Sequence, residues 1–260
     1  MVRPLGTCST VLAVSVLALL VGCSGESDPT TQPAISSAAS TSQSPSESGA
    51  PLPEGVVLMS DLTEGSVVPG RYAGVVAGGS RSGELPLAVV MVPSGYLGGG
   101  AGGVFVDEGG FRHLDLWSVS KVVEDPCSGP VYTDPGPTVQ DLADALAALP
   151  VWESTKPKPV TVGGYQGLVM DFDVPDPTPS GCGDPLSHWV DEMGGTQGHG
   201  PGKRQRLWIL DVAGERVMIL AGWFPAGGSD PSAGVTPAQT KELIDMAEST
   251  TFLVPPAQSP

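Results

Sequence analysis

Apolar and polar positions alternate along much of the chain in the pattern of β-strands. Segments of this kind, either alternating or continuously apolar, end at turns that contain Gly or Pro. In residues 168–174 the apolar side chains share one face, while Asp171 and Asp173 share the other. The last long pair is separated by Ala213-Gly214 and predicts a hairpin. The predicted strands are residues 71–76, 85–92, 104–106, 113–119, 160–162, 168–174, 206–212, 216–223 and 251–254.

Two segments, residues 138–149 and 236–249, have the repeat and the end signals of helices. Each begins at a threonine, and a residue three positions later completes a capping box: Thr138 with Asp141, and Thr236 with Gln239. Many strands and two helices indicate an α+β fold, a mostly antiparallel sheet with the helices packed on it. The alternative is a β-sandwich with peripheral helices.

The N-terminal residues have the layout of a secretory signal peptide. Arg3 precedes an apolar run over residues 11–21, which only Ser15 interrupts. A membrane-spanning helix needs roughly 20 apolar residues, so an uncleaved span is the less favoured alternative. The next residues, Leu20-Val21-Gly22-Cys23, resemble the lipobox of bacterial lipoproteins. This resemblance implies cleavage after Gly22, lipidation of the Cys23 thiol with chains such as palmitate, and a domain anchored to the cell membrane on its extracytoplasmic face.

Composition divides the rest of the chain into three parts. Residues 23–54 are rich in Ser, Thr, Pro and Ala and have no hydrophobic period, so they predict a disordered tether after the signal peptide of residues 1–22. Residues 55–255 predict a single globular domain, and residues 256–260 a flexible tail. The formal net charge of −16 argues against nucleic acid as a partner. We predict a monomer whose contact with the membrane is the lipid on Cys23.

Two cysteines remain free of lipid once Cys8 is removed with the signal peptide and Cys23 carries the anchor. They are Cys127 and Cys182, both in segments rich in Pro and Gly. Export to an oxidising compartment predicts a disulfide between them, which would close a loop of about 56 residues. The alternative is a pair of free thiols.

Several segments of the domain resemble a family of uncharacterised secreted proteins and lipoproteins of actinobacteria. They include Asp125-Pro126-Cys127, Gly163-Gly164-Tyr165 and Leu207-Trp208-Ile209-Leu210-Asp211-Val212. More distantly, Val92-Pro93-Ser94-Gly95-Tyr96 and the closing hairpin, helix and strand resemble the Mog1/PsbP-like α/β/α sandwich. The second resemblance implies a binding or assembly module. Neither implies an activity, and the long polar stretch 175–204 departs from the Mog1/PsbP pattern.

The sequence contains no recognisable catalytic, cofactor or metal motif. The only histidines, His113, His188 and His199, lie outside any HExxH or CxxC frame. We interpret residues 187–202, which contain His188 and His199, as a solvated loop. Asp171 and Asp173 are explained by their position on the solvent-facing side of a strand, so they need no catalytic role.

The aromatic residues suggest where a ligand could bind. Trp152 and Trp189 fall in predicted loops, and with Tyr165 they are the candidate lining of a groove near the disulfide. The alternative is that they cover the core. We therefore predict a non-catalytic module that binds a small apolar ligand or an envelope protein. A cell-envelope hydrolase with an unrecognised catalytic site is the alternative.

Overall fold

A computed structural model describes residues 52–62, 67–75, 86–99, 102–106, 109–129, 131–183, 185–192, 194–227 and 234–254. These residues all belong to one compact unit, Glu47–Pro260. The predicted signal peptide, the lipidation site Cys23, the tether up to residue 51 and the tail 256–260 lie outside the described residues.

The chain is α+β, as predicted, and strands dominate it. The helices are α1 (Val139–Ala147) and α2 (Pro237–Glu248), and Met59–Asp61 forms a 3-10 turn. The strands are β1 (Val56–Leu58), β2 (Gly70–Val75), β3 (Leu87–Val92), β4 (Leu97–Gly98), β5 (Gly103–Val106), β6 (Arg112–Trp117), β7 (Val119–Val123), β8 (Tyr132–Thr133), β9 (Glu153–Ser154), β10 (Lys158–Val162), β11 (Tyr165–Asp173), β12 (Leu186–Asp191), β13 (Thr196–His199), β14 (Arg204–Val212), β15 (Glu215–Pro225), β16 (Gly234–Val235) and β17 (Thr251–Leu253).

Three sheets form within the described ranges. The main sheet has nine strands in the order β10-β11-β14-β15-β6-β5-β4, with β9 beside β11 and β16 beside β15. The second sheet has the order β1-β2-β3-β17, and the third sheet the order β13-β12-β7-β8. Pairing is antiparallel except between β1 and β2 and between β15 and β16. The predicted hairpin at Ala213-Gly214 is β14–β15, which stays in register from Val212–Glu215 to Arg204–Trp223.

The main sheet is buried on both faces, because a different core packs on each. On the first face, α2 and the second sheet cover a cluster that includes Val90, Leu114, Trp208, Ile219 and Leu243. On the second face, α1 and the third sheet cover a cluster that includes Leu142, Trp189, Leu207, Ile209 and Leu220. Burial on both sides explains the continuously apolar sequences of β14 and β15.

Both helices begin where the capping boxes predict. The backbone N–H of Asp141 donates to Thr138 Oγ1 at 3.1 Å, and the Thr138 N–H donates to Asp141 Oδ2 at 2.9 Å. Thr236 and Gln239 make the same reciprocal pair at the start of α2. Within the described part of the chain, neither helix is long and apolar enough to cross a membrane.

The predicted disulfide between Cys127 and Cys182 is present. It joins the segment that follows β7 to the segment that precedes β12, so both ends of the bridge lie next to the third sheet. Both cysteines pack against the core on the second face of the main sheet.

The interpretation of residues 187–202 as a solvated loop is wrong. Most of this stretch forms β12 and β13, and the side chains of His188 and His199 are buried at 0% and 4% exposure. A β-bulge explains why the sequence pattern does not predict β12. Ser187 pairs with Gly198 and Trp189 with Gln197, so His188 is an extra residue between two ladder positions. The bulge lets the consecutive His188 and Trp189 both face inward, which breaks the alternation that predicts a strand.

A buried cluster of histidines and a lysine

The fold brings the three histidines of the chain together on the second face of the main sheet. Strand pairing sets one row of side chains across this face: His113 and Gln205 flank Gly222, and Phe172 is opposite Gln205. The third sheet brings His188 and His199 onto this row. We call the set His113, Asp115, His188, His199, Lys203 and Gln205 the histidine–lysine cluster.

Two glycines of the main sheet leave space for the side chains of His113 and Asp115. A Cβ at Gly222 would lie 2.1 Å from His113 Nε2, and a Cβ at Gly103 would lie 2.1 Å from Asp115 Oδ1. The imidazole and the carboxylate therefore lie directly over backbone that has no side chain. In this position His113 Nδ1 donates a hydrogen bond to Asp115 Oδ2 at 2.6 Å, and the carboxylate fixes which ring nitrogen carries the proton.

The other two histidines come from the β12–β13 hairpin and lie among aromatic rings. The His188 ring stacks on Trp152 with 4.2 Å between centroids and an interplanar angle of 24°. Its centroid is 5.0 Å from that of Trp189 and 4.7 Å from that of His199. The His199 ring in turn lies 5.7 Å from that of His113. The three imidazoles thus form a chain of contacts from the main sheet to the hairpin.

Lys203 places a positive charge against this chain of rings. Its Nζ donates to His199 Nδ1 at 2.8 Å and lies 5.2 Å from the centroid of the Phe111 ring. The residue is only 5% exposed. Burial lowers the pKa of Lys203 from 10.5 to about 8, although the charge of Asp115 acts in the opposite direction.

Burial also keeps the two hairpin histidines neutral. It lowers the pKa of His188 well below 6.5, and the charge of Lys203 adds to this shift. The pKa of His199 is lowered well below 6.5 by burial and then by the charges of Lys203, His188 and His113. An uncharged imidazole is therefore the form that this packing favours.

Several polar atoms of the cluster are buried without a hydrogen bond of acceptable geometry. They are both ring nitrogens of His188, Nε2 of His113, and both amide atoms of Gln205, which lies beside His199. A buried polar atom without a partner costs roughly 1–3 kcal/mol. The cluster is therefore a locally unfavourable part of an otherwise apolar core.

The arrangement does not suit a metal ion. Within the residues that the structure describes, no group of three or more His, Cys, Asp or Glu side chains could hold one. The ammonium of Lys203 also lies against His199 Nδ1, where it would repel a cation.

The three aromatic residues proposed for a binding groove do not lie together. Trp152 and Trp189 both belong to the second-face core and contact His188. Tyr165 packs against the core of the first face, edge-on to Phe252 with 5.5 Å between centroids. Trp152 is 7% exposed and Trp189 is fully buried, so both cover the core rather than line an open groove. No local sequence pattern indicates Asp115, Lys203 or Gln205, which complete the cluster with the three histidines.

An open cavity lies elsewhere on the second face, at the start of α1. Its volume is about 410 Å³, and its lining is Pro137, Thr138, Val139, Gln140, Gln166, Gly167, Leu168, Asp211, Gly214 and Arg216. We call it the α1 cleft. The Arg216 guanidinium donates to the carbonyls of Gly136, of Thr138 at 3.2 Å and of Val119 at 2.7 Å. It therefore holds the start of α1 against β15 and β7 and makes this wall of the cleft rigid.

Gly222→Ala tests whether the cluster depends on the absence of a side chain below His113. The new methyl group would occupy the position of His113 Nε2, and the ring is held by Asp115 and is 5% exposed. We expect the free energy of unfolding to fall by about 1–3 kcal/mol. Urea unfolding measures this change. In the control Gly70→Ala, the added Cβ lies 3.6 Å from Tyr72 Cε2, an ordinary contact. Equal losses in the two variants would contradict the prediction.

No protein-family model matches the chain, and no curated protein matches it. Among solved structures, the chain is similar to LpqN of Mycobacterium tuberculosis, which is described as involved in cell envelope biogenesis. The identity is 15%, the match covers 74% of this chain and 91% of LpqN, and the TM-score is 0.36. A TM-score this low indicates neither a shared function nor a shared ligand.

Proposed function

We propose that the chain is a non-catalytic lipoprotein that binds an envelope protein at the extracytoplasmic face of the cell membrane through the α1 cleft. The motif that ends at Cys23 supports the location, because a thiol after Leu-Val-Gly is the acceptor of a lipid anchor. The cleft carries the binding part of the proposal. Its volume of about 410 Å³ is within the range of ligand sites.

The lining of the cleft favours a polar group over a small apolar ligand. Gln140, Gln166, Asp211 and Arg216 contribute amide, carboxylate and guanidinium groups to an opening that faces solvent. A rigid wall lowers the entropy lost on binding, and the three carbonyl bonds of Arg216 supply that rigidity. A side chain from a partner protein would fit such a cleft.

Burial of the acid–base groups supports a non-catalytic role. His113, His188, His199 and Lys203 are each at most 5% exposed. A general base must come within hydrogen-bond reach of the proton it removes. The free nitrogen of His113 instead lies over the backbone of Gly222.

A cell-envelope hydrolase is the second candidate, and one observation favours it. His113 and Asp115 are 2.6 Å apart, the arrangement of a base that a carboxylate orients. If this pair were catalytic, His113→Gln would abolish hydrolysis of ester or peptide substrates by the purified chain. If the chain is non-catalytic, as proposed above, neither the wild type nor His113→Gln should hydrolyse these substrates.

Site-specific photo-cross-linking in cells tests the binding proposal. A photoreactive residue at Gln166, which is exposed beside the cleft, should cross-link to one envelope protein. The control position is Lys241, which is 72% exposed on α2, a helix packed on the other face of the main sheet. Cys23→Ser should release the chain from the membrane fraction and remove the adduct. Equal cross-linking at the two positions, or a small molecule that co-purifies in native mass spectrometry and blocks the Gln166 adduct, would contradict the proposal.

A further inference from the structure

The β12–β13 hairpin meets the main sheet through ionisable side chains rather than through apolar ones alone. His188 and His199 come from the hairpin, while His113 and Gln205 come from the main sheet. Rings from the two sides are in contact at 5.7 Å between His199 and His113. This interface is therefore sensitive to charge in a way that the rest of the core is not.

The charged groups that face the hairpin histidines are positive. The charge of Lys203 acts on both rings, and the charges of His188 and His113 act on His199. The carboxylate of Asp115 is bonded to His113, at the far end of the chain of rings. No carboxylate contributes to the shifted pKa of His188 or His199. A proton on either ring would be a buried charge beside a second one of the same sign.

We propose that the contact between the β12–β13 hairpin and the main sheet is acid-sensitive, so that protonation of His188 and His199 releases the hairpin while the main sheet stays folded. The open form lets water solvate both imidazolium rings and Lys203. It also exposes Trp152 and Trp189, which the closed form buries. Acid would thus reveal an aromatic surface that a partner could bind.

The pattern of strand pairing makes this opening local. β12 and β13 pair with each other, and β12 also pairs with β7, but no strand ladder among the described residues joins either of them to the main sheet. Side chains of the two strands contact those of the main sheet, as the rings of His199 and His113 do. The central strands β14 and β15 keep their full ladder when the hairpin leaves. The Cys127–Cys182 bridge keeps the segment before β12 attached.

The size of the effect follows from proton uptake. In the open form each histidine has its ordinary pKa of about 6.5, whereas in the closed form it stays neutral. At pH 5 each histidine should therefore favour opening by about 25-fold, and both together by about 600-fold, relative to pH 7. Lys203 is protonated in both forms below its closed-form pKa of about 8, so it adds no dependence over this range.

Hydrogen exchange of the full chain, followed by mass spectrometry between about pH 7 and pH 5, tests the proposal. Release separates β12 from β7 and so frees amides of the hairpin. After correction for the intrinsic exchange rate, exchange in residues 186–199 should rise about 600-fold from pH 7 to pH 5, with a slope that approaches 100-fold per pH unit near pH 5, because opening takes up two protons. Residues 207–220 of the main sheet serve as the internal reference and should not change.

Variants separate the two histidines. His188→Phe keeps an aromatic ring against Trp152, and His199→Gln keeps an acceptor for Lys203. In each single variant, hairpin exchange should rise by only about tenfold per pH unit in acid. In the double variant it should not depend on pH. Lys241→Met, on an exposed side of α2 at the other face of the main sheet, is the control and should leave the pH dependence unchanged.

Three results would overturn the proposal. They are a hairpin whose corrected exchange does not change with pH, equal acceleration in residues 207–220, and a double variant that keeps the wild-type response. If the double variant does not fold, the pH dependence of hairpin exchange in the wild type alone tests the proposal. A slope of two protons below pH 6.5 supports release through the histidines, and a slope of zero overturns it.

Discussion

Replacement of both Cys127 and Cys182 by serine is expected to lower the free energy of unfolding by about 4 kcal/mol. The disulfide joins residues that are 55 positions apart, so it removes much of the conformational freedom of the unfolded chain. The native contacts change little, because serine occupies the same space next to the second-face core. Urea unfolding of the wild type and the double variant at neutral pH measures the difference.

Reduction of the same bond provides the control for this prediction. Wild-type protein in excess dithiothreitol should unfold at the urea concentration of the double variant, whereas the double variant itself should not respond to the reductant. If dithiothreitol left the wild-type midpoint unchanged, the bridge would not contribute to stability. A larger loss in the double variant than in the reduced protein would assign part of the effect to packing of the two side chains.

The parts of the fold that the sequence predicts well are those determined by neighbouring residues. The capping pairs Thr138–Asp141 and Thr236–Gln239 are complete within four positions, and both are present. The β14–β15 hairpin follows from two apolar runs and a Gly turn, and it is also present. Local signals of this kind survive because tertiary contacts reinforce them.

The histidine–lysine cluster could not be predicted in this way. Gly222 lies opposite His113 only because β15 pairs with β6, whose residues are about a hundred positions earlier in the chain. Nothing near Gly222 in the sequence indicates that a ring covers it. The bulge at His188 interrupts the alternation of apolar and polar residues in β12, so the pattern does not predict this strand either. The lipobox at Cys23 and the Mog1/PsbP resemblance stay predictions.

Lys203→Met is expected to stabilise the protein at neutral pH by up to about 3 kcal/mol, although most core substitutions destabilise. Lys203 is 5% exposed, and its pKa falls from 10.5 to about 8 on folding, mainly through burial. At neutral pH the folded protein therefore holds a charged group that water would solvate better. Methionine has a similar length and no charge, so it removes this cost and keeps the contact with the Phe111 ring.

The shifted pKa of Lys203 also predicts how the free energy of unfolding changes with pH. Between about pH 8 and pH 10.5, the folded chain has released the Lys203 proton while the unfolded chain still holds it. Wild-type stability from this group therefore rises with pH through that window and is lowest below pH 8. The advantage of Lys203→Met should be greatest at neutral pH and should disappear near pH 10.5. Urea unfolding of both proteins at several pH values measures it, and differences at each pH cancel the other titrating groups.

Two control variants show whether burial of the charge is the cause. Lys203→Arg keeps a charge that cannot be released, so above about pH 8 it should lack the rise in stability that the wild type shows. Lys241→Met changes a lysine that is 72% exposed, and it should alter stability by no more than about 0.5 kcal/mol. A loss of stability in Lys203→Met at neutral pH would mean that the contacts with His199 and Phe111 outweigh the burial of the charge. A gain would mean that the chain maintains an unfavourable group in its core, as proteins do where function requires it. A functional requirement predicts one more result: the stabilised variant should release the β12–β13 hairpin less readily in acid than the wild type.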